Sequence, residues 1–342
     1  MKEARLKAIL AGYPGAKIAV VGDFFLDKWL LIDRGLDEPS LETGLTAYQV
    51  TGKRICPGAA GTVTNNLSDL GVGEIHAVGF IGDDGEGYEL TRGLNQTRVK
   101  TEHLFKCDRL FTPTYTKPLF NHPVKPEEAN RLDIRNRGSV PPDVENRVID
   151  SLYEISRKVD AVIALDQVVE ENTGVITEGV RKALAELGRE RKDLIIYADS
   201  RAHTLKFQDI IIKCNHLEAV RAVYPDFQDE PDEETIQSCA LMMSQRTGRR
   251  VFITRGESGM IVTQGDSAKT IPAIPVSGPI DIVGAGDAAT AGIVSALCCG
   301  AESEEAALVA NLAASITVQQ IGTTGTASRE AILQRFQEHF GS

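Results

Sequence analysis

The chain has 342 residues, of which 42% are hydrophobic and 25% charged, so it is long enough for one large domain or two small ones. Its net charge of -11 argues against a sequence-independent grip on nucleic acid or an anionic membrane, so we expect neither as a partner. Six scattered cysteines without paired metal-ligand spacing favour free thiols in a reducing cytoplasm. The longest uncharged apolar run, 288–301, is too short to span a bilayer and predicts a buried helix.

Compact runs rich in β-branched residues alternate with segments of helical periodicity. The predicted strands are Lys17–Val21, Ile75–Phe80, Ala161–Leu165, Leu194–Ala198, Ile210–Ile212, Val251–Thr254 and Gly259–Thr263. The predicted helices are Gly61–Leu70, Val144–Val159, Thr173–Leu187, Glu233–Thr247 and Glu304–Gln319. This alternation predicts an α/β fold, with a doubly wound, mostly parallel sheet covered on both faces. Because no linker rich in Pro, Gly or Ser divides the chain, we predict a single domain over 1–342.

Two segments do not follow this alternation. Leu30–Cys56 and Leu110–Arg135 are richer in Thr, Pro and alternating polar positions, and each follows a sheet unit instead of forming one. They predict the short strands of a small β-rich lid.

The most informative motif is Asp281–Gly292, a glycine-built turn that opens into a helix. Gly284 and Gly286 allow a tight turn whose N–H groups approach a ligand, while the helix N-terminus favours an anion at the same point. A carboxylate beside bound phosphate would be repelled by it, so Asp287 makes chemical sense as the acceptor of a proton from an attacking hydroxyl. Taken alone, the motif fits an N-capping Asp on a buried helix equally well.

Two other turns bear on function. The turn after the first strand, Gly22–Asp27, lacks the G-x-G-x-x-G pattern, which disfavours dinucleotide binding and hydride transfer. The small-residue turn Pro57–Asn66 has room for a polyhydroxylated ligand, although most such turns serve packing.

Together with Gly79–Gly85, Asn215-x-x-Glu218 and Thr254–Gly256, these motifs resemble, in order and spacing, the ribokinase-like (PfkB) carbohydrate kinases. The resemblance runs from about Lys17 to Gly325. Within the family the chain is most similar to the heptose kinases of lipopolysaccharide-precursor synthesis, the kinase half of bifunctional ADP-heptose synthases. Further motifs that carry this likeness are Val21–Asp23 with Leu26-Asp27, Arg131–Asp133, Ala310-Asn311 and Ile321–Thr323.

The resemblance implies an ATP-dependent sugar kinase of ribokinase-like fold that uses ATP, Mg²⁺ and, as a further cation, K⁺. It implies Asp287 as the base, with the N–H groups of Gly284, Ala285 and Gly286 as an anion hole. The implied acceptor contacts are Asp27, Gly58, Ala59, Thr62 and Asp166. The implied nucleotide contacts are Asn215, Glu218, Thr254, Arg255, Gly256 and Asn311. For the cations it implies Asn215 and Glu218 through water for Mg²⁺, and Asp281 and Ile282 for K⁺.

For several of these residues, the sequence alone fits a structural role as well as the implied functional one. Asn215 and Glu218 also fit a polar helix start, and Asp27 fits a turn or cap. Arg255 or Lys213 could meet nucleotide phosphates or carry a solvated surface charge. A catalytically silent sugar- or nucleotide-sensing protein on the same fold is the second functional hypothesis, which the intact Asp287 disfavours.

The chain departs from the resemblance at the acceptor side. Thr62 stands where the family has an Asn, and Glu170 and Glu171 stand where the heptose kinases have a Lys and a Gly. Because acidic groups disfavour a nearby sugar phosphate, we expect an acceptor that lacks that phosphate or holds it elsewhere. The lid is too thin to bury both of its faces, so we also expect a homodimer formed through the lids.

Overall fold

The computed structural model describes residues 1–121 and 127–341. Its helices are α1 Glu3–Gly12, α2 Ala60–Asp69, α3 Gly85–Gln96, α4 Pro142–Ile155, α5 Glu178–Glu190, α6 His216–Val223, α7 Glu233–Thr247, α8 Ala285–Cys298, α9 Ser303–Thr317 and α10 Arg329–Phe340. Its strands are β1 Lys17–Gly22, β2 Phe24–Ile32, β3 Glu38–Pro39, β4 Thr46–Ala47, β5 Val50–Ala59, β6 Glu74–Gly82, β7 Lys100–Cys107, β8 Thr114–Phe120, β9 Glu127–Glu128, β10 Leu132–Ile134, β11 Ala161–Asp166, β12 Ile195–Ser200, β13 Ile211–Asn215, β14 Val251–Thr254, β15 Met260–Gln264 and β16 Ser267–Ile271.

The central sheet is mostly parallel, as the sequence predicts. Its strand order is β16-β15-β14-β13-β12-β11-β1-β6-β7, and only the β14–β15 and β15–β16 pairs among these are antiparallel. Strand β1 is apolar and buried after its exposed first residue, Lys17. Ile18 and Val20 lie in one buried cluster and Ala19 and Val21 in another, because alternate side chains face opposite helical layers.

Every predicted strand of the central sheet is present, but one predicted helix starts late. The pattern predicts a helix from Thr173, whereas α5 begins at Glu178. Thr177 accepts a hydrogen bond from the Val180 N–H (3.2 Å) and caps the helix. The residues before the cap form a loop instead, whose backbone N–H groups bond to a carboxylate on another element.

The lid is a second sheet with strand order β10-β8-β2-β5, to which β9 adds beside β8. It extends beyond the predicted segments 30–56 and 110–135, because β2 already starts at Phe24 and β5 ends at Ala59. Residues 122–126 of the predicted lid lie outside the described residues. Trp29 on β2 lies between Arg54 of β5, 4.2 Å from the ring centre, and Lys117 of β8, at 4.8 Å.

One lid side chain reaches the body of the molecule. The Arg54 guanidinium donates to the Gly322 carbonyl (3.3 Å), and the Gly322 N–H donates to Asp281 (3.0 Å) just before α8. Across residues 1–121 and 127–341, no helix is both long enough and apolar enough to cross a membrane.

Candidate active site

The predicted site residues gather at one edge of the central sheet. Parallel strands end at the same edge, so Asp166 at the end of β11, Ser200 at the end of β12 and Asn215 at the end of β13 lie side by side there. The turn that opens α8 faces this edge, and the lid strands β2 and β5 cover it. This edge is where ligands bind in open α/β sheets.

The turn before α8 has the geometry of an anion site. Gly284 caps the helix with φ +84°, a left-handed conformation that favours glycine. The Ala285 N–H donates to the Ile282 carbonyl (3.2 Å), so the turn already uses one of the three predicted anion-hole amides. A Cβ on Gly286 would lie 3.1 Å from the Lys213 ammonium, so glycine lets this cation approach the helix N-terminus closely. Amides of the first turn and a cation therefore converge on one point.

Asp287 lies on the first turn of α8, beside these groups, and is half-buried. Burial raises the pKa of Asp287 to about 7, and the nearby Asp199 charge raises it further, while Lys213 and Arg201 oppose the shift. A carboxylate with a pKa near neutrality is a suitable general base at neutral pH.

Lys213 is buried, and its ammonium bonds to Asp199 Oδ2 at 2.7 Å. Thr290 on α8 donates to the same oxygen at 3.0 Å, so the pair connects the sheet to α8. The structure thus excludes a solvated surface position for Lys213. Sequence reasoning missed Asp199, although an acid at the carboxyl end of a parallel strand is the signal that could have found it.

Asn215 and Glu218 form a reciprocal capping box at the start of α6. The Glu218 N–H donates to Asn215 Oδ1 (2.9 Å), and the Asn215 N–H donates to Glu218 Oε2 (2.8 Å). The polar helix start that the sequence analysis offered as an alternative for these two residues is therefore present in the structure. Burial raises the pKa of Glu218, with a contribution from Asp199, so this carboxylate also lies within the charge network around Lys213.

Asp27 lies on β2 under the lid, 3.6 Å from the Lys117 ammonium. A Cβ on Gly58 would lie only 2.4 Å from Asp27 Oδ2, so glycine makes space for this carboxylate. The Asp27 charge also contributes to the raised pKa of Asp287. Ala59 turns the chain into α2 with φ 52°, and Thr62 is buried in the first turn of that helix.

Asp166 was predicted to contact the acceptor. In the structure, its carboxylate is part of an internal hydrogen-bond network. Its Oδ2 accepts from the Ser200 hydroxyl (2.8 Å) and lies 3.0 Å from His203 Nδ1. With 3% of the residue exposed, Asp166 supports the wall of the site.

The predicted nucleotide contacts also carry structural bonds. Arg255 forms an ion pair with Glu233 of α7 (3.1 Å), which directs its charge to that helix. Thr254 donates to the Cys214 carbonyl at 3.4 Å, and Gly256 has φ +57° in the turn after β14. The Asn311 amide donates to the carbonyls that end β16, at 3.1 and 2.8 Å.

The predicted K⁺ loop is held by side-chain bonds of Asp281. Its carboxylate accepts from the N–H groups of Val283 (3.1 Å) and Gly322 (3.0 Å), and its own N–H donates to Val318 (2.7 Å). The Ile282 side chain is exposed. In the part of the chain that the structure describes, no group of three or more His, Cys, Asp or Glu side chains is arranged to hold a metal ion.

Residues 171–330 match the model of a known family, the pfkB family carbohydrate kinases. Almost half of the chain is thus similar to the PfkB family carbohydrate kinases. The matched range contains Asp287 and its turn, the Asn215–Glu218 pair and Asp199, whereas Asp27 and Gly58 lie outside it.

Full-length relatives are also similar to this chain. The chain is 27% identical over 319 residues to the bifunctional protein HldE of Gluconobacter oxydans (strain 621H), a match that covers 92% of this chain and 63% of that protein. It is 28% identical over 331 residues to the bifunctional protein HldE of Caulobacter sp. (strain K31), covering 96% and 64%. The chain thus spans less than two thirds of the length of these relatives.

Solved structures share the fold. Arabidopsis thaliana ribokinase, complexed with ribose and ATP, aligns with a TM-score of 0.69 at 19% identity, over 94% of this chain and 99% of that one. Phosphofructokinase-2 from Escherichia coli, in complex with potassium, aligns with a TM-score of 0.74 at 16% identity, over 94% and 98%. The ribokinase-like α/β prediction is confirmed.

Proposed function

We propose that this chain is a PfkB family carbohydrate kinase that transfers the γ-phosphate of ATP to a hydroxyl of a sugar, with Asp287 as the general base. The observation that carries the proposal is the half-buried Asp287 carboxylate, whose pKa is near 7, on the helix turn where Lys213 and amide groups converge. The hydroxyl proton passes to Asp287 as the hydroxyl oxygen bonds to the γ-phosphorus. The bond from that phosphorus to the bridging oxygen breaks, and ADP leaves.

The residues around the turn fit the phosphate end of the nucleotide. The first amides of α8 and the Lys213 ammonium would stabilise the charge of the transferring group. The segment Thr254–Gly256 and Asn311 would lie along the rest of the nucleotide. Mg²⁺, when bound, neutralises phosphate charge, and Asn215 with Glu218 would hold it through water.

For K⁺ we propose the loop of Asp281 and Ile282, through backbone carbonyls. Support comes from the tight bonding of this loop and from the potassium complex of the Escherichia coli phosphofructokinase-2. The Ile282 carbonyl already accepts the Ala285 N–H, and its second lone pair stays free for an ion.

The acceptor is a sugar or sugar phosphate held by Asp27 and the Gly58-Ala59 turn, and its specificity differs from that of the heptose kinases. Thr62 and Glu170 support this difference. The six cysteines are all free thiols, which supports a reducing cytoplasm as the compartment.

A phosphotransfer assay tests this proposal. The chain is incubated with ATP, Mg²⁺ and K⁺ against a panel of sugars and sugar phosphates, including heptose 7-phosphate, and ADP release is measured with and without each acceptor. We expect acceptor-dependent ADP release. Binding of sugars or ATP without any turnover would favour the silent sensing protein instead.

A further inference from the structure

A cavity of about 130 Å³ lies between the lid and the loop that joins β11 to α5. Much of its lining is apolar, and its three phenylalanines are almost fully buried elsewhere: Phe24, Phe25 and Phe80. The other apolar side chains that line it are Pro113, Tyr115, Val168, Val169 and Val175. An engineered apolar cavity of about 150 Å³ binds benzene, so this cavity has nearly the volume that one aromatic ring needs.

The loop that carries the three valines is fixed by Asp23, which follows β1. The buried Asp23 carboxylate accepts the N–H groups of Gln167 (2.9 Å), Val168 (3.3 Å) and Val175 (2.7 Å). A Cβ on Gly174 would lie 2.7 Å from Asp23 Oδ1, so glycine allows this approach. This wall of the cavity is thus preformed, which reduces the entropic cost of binding a ligand against it.

The formal charges that line the cavity balance. Arg135 and Arg201 contribute two positive charges, and Asp23 and Glu170 contribute two negative ones. Arg135 is in addition bonded to Asp133 at 3.2 Å, outside the lining. A phosphate group would lose its hydration here without an excess of cations to compensate, whereas a neutral apolar group has no such cost.

Only one member of the predicted acidic pair faces the cavity. Glu170 lines it, whereas Glu171 forms an ion pair with Lys206 and lines a separate groove. Glu170 is exposed, so its carboxylate lies at the rim and the buried phenylalanines lie deeper. The interior of the cavity therefore favours an apolar occupant.

The aromatic lining begins beside Asp27, the proposed acceptor contact. Phe25 lies two residues before Asp27 on β2, so both side chains face the same side of the lid. Tyr115 is the direct neighbour of Asp27 on β8, and its ring packs edge to face against Phe25 with the ring centres 5.4 Å apart. An acceptor held by Asp27 therefore has these two rings within about one strand spacing.

We propose that this cavity binds an uncharged apolar group of about the size of one aromatic ring, carried by the acceptor away from its reacting hydroxyl. The inference rests on the proposed kinase activity and names its substrate class, a sugar joined to a small aromatic or aliphatic group. An aromatic substituent would gain both burial and edge-to-face packing against Phe25 and Tyr115.

The test offers glucose, mannose and ribose in three forms: free, with a phenyl group, and with a terminal phosphate. The phenyl group is placed on the anomeric oxygen in one set and on the terminal oxygen in another, so that one isomer leaves the reacting hydroxyl free. Michaelis constants are measured with saturating ATP, and binding is measured by calorimetry in the presence of ADP. For at least one sugar we expect a phenyl derivative to have a Michaelis constant about tenfold or more below that of the free sugar, the scale of burying one aromatic ring. The phosphate form should show no such gain.

Two variants change the cavity in opposite ways. Val168→Phe fills it from the half-buried loop wall, so the advantage of the phenyl derivative over the free sugar should fall from about tenfold to less than about twofold. Val223→Phe is the matched control, because this half-buried valine at the end of α6 does not line the cavity, and the advantage should remain. Glu170→Lys adds cations at the exposed rim and should lower the Michaelis constant of the phosphate form about tenfold relative to that of the free sugar. No change with Glu170→Lys would refute the charge balance on which the proposal rests.

The outcomes separate the two proposals. Phosphotransfer to free sugars in which every phenyl derivative is equal or worse, or in which the phosphate form is preferred, would overturn the apolar subsite and leave the kinase intact. A complete lack of phosphotransfer would count against the kinase. In that case calorimetry still decides the subsite, which is refuted if no phenyl derivative binds more tightly than its free sugar or if Val168→Phe binds that derivative as tightly.

Discussion

Lys213 and Asp199 form a buried ion pair at the candidate site, with the ammonium 2.7 Å from Asp199 Oδ2. Burying two charges requires their dehydration, and such pairs are often no more stabilising than apolar residues of similar volume. Here the pair holds an ammonium 3.1 Å from the Cβ position of Gly286, beside the base. Under the proposed function, a fixed cation at that point would stabilise phosphate charge, which would give the pair a functional reason.

Asp287→Asn should lower turnover by at least about a hundredfold, the scale expected for removal of a positioned base. The amide keeps the shape of the side chain, so the fold and ATP affinity should change little. Steady-state kinetics and ATP calorimetry measure both effects. Asp266→Asn, in the exposed turn between β15 and β16, is the control and should keep full activity. Near-normal turnover of a folded Asp287→Asn protein would contradict the mechanism.

The pH dependence of kcat/KM should report the Asp287 base. A base acts when ionised, and the pKa of Asp287 is about 7, so activity should rise with pH to a plateau with a midpoint near that value. Lys213 opposes the raised pKa, so Lys213→Met should move the midpoint to higher pH. Lys206→Met, at the ion pair with Glu171, should leave it in place. A midpoint near pH 4, or a midpoint that does not change in Lys213→Met, would refute the assignment of Asp287 as the base.

At the scale of elements, Gly58 of β5 leaves space for the Asp27 carboxylate, which we propose binds the acceptor. Gly58→Ala would place a Cβ 2.4 Å from Asp27 Oδ2 and displace the carboxylate. We expect the Michaelis constant of the acceptor to rise about tenfold, because a charge-assisted hydrogen bond is lost, while that of ATP stays constant. Gly52→Ala on the same strand, where the nearest atom is Leu31 Cδ1 at 3.2 Å, is the control. An equal effect on both constants would indicate a general disturbance of the lid.

The loop before α8 should make activity sensitive to monovalent cations. If carbonyls of Asp281 and Ile282 hold K⁺, the ion orders the turn that carries Gly284 and Gly286. Rates in potassium buffer should then exceed those in choline buffer at equal ionic strength and Mg²⁺. Equal rates would exclude a role for K⁺ at this loop, and loss of all activity on chelation of Mg²⁺ provides the positive control.

Element types were predictable wherever local pattern and burial agree. The predicted boundaries of α7 and β14 match the structure, since both have uniform periodicity or a uniformly buried run. Strand β7 was missed because it is an edge strand whose exposed polar residues break the apolar pattern. The start of α5 was wrong because Asp23, some 150 positions earlier in the chain, binds the preceding loop.

The site was predictable where its residues are close in sequence and not where they meet in space. The Asp287 turn and the Asn215–Glu218 pair are local motifs. The Asp199–Lys213 pair depends instead on the register of β12 and β13, in which these two residues are direct neighbours. No single-sequence pattern specifies that register.

At the scale of the whole molecule, the lid exposes apolar side chains that suit a second copy of the chain. Leu41 and Leu45 are 103% and 71% exposed, and Leu132 and Val50 are also exposed. Pairing two lids would bury this surface, so we propose a homodimer. Light scattering at micromolar concentration should give twice the mass of the chain, and Leu45→Arg should shift the population toward monomer. A stable monomer of the unaltered chain would contradict this.

The contact of Arg54 with Gly322 connects the lid to the loop that holds Asp281. Under the proposed function, it therefore links the side that binds the sugar with the side that binds the phosphates of ATP. Such a link couples the binding of sugar to the binding of ATP, and thermodynamic linkage makes this coupling reciprocal. If ATP tightens sugar binding by some factor, the sugar tightens ATP binding by the same factor. A compound that competes only with the sugar would therefore change in potency as the cellular ATP concentration changes, although it never touches the nucleotide.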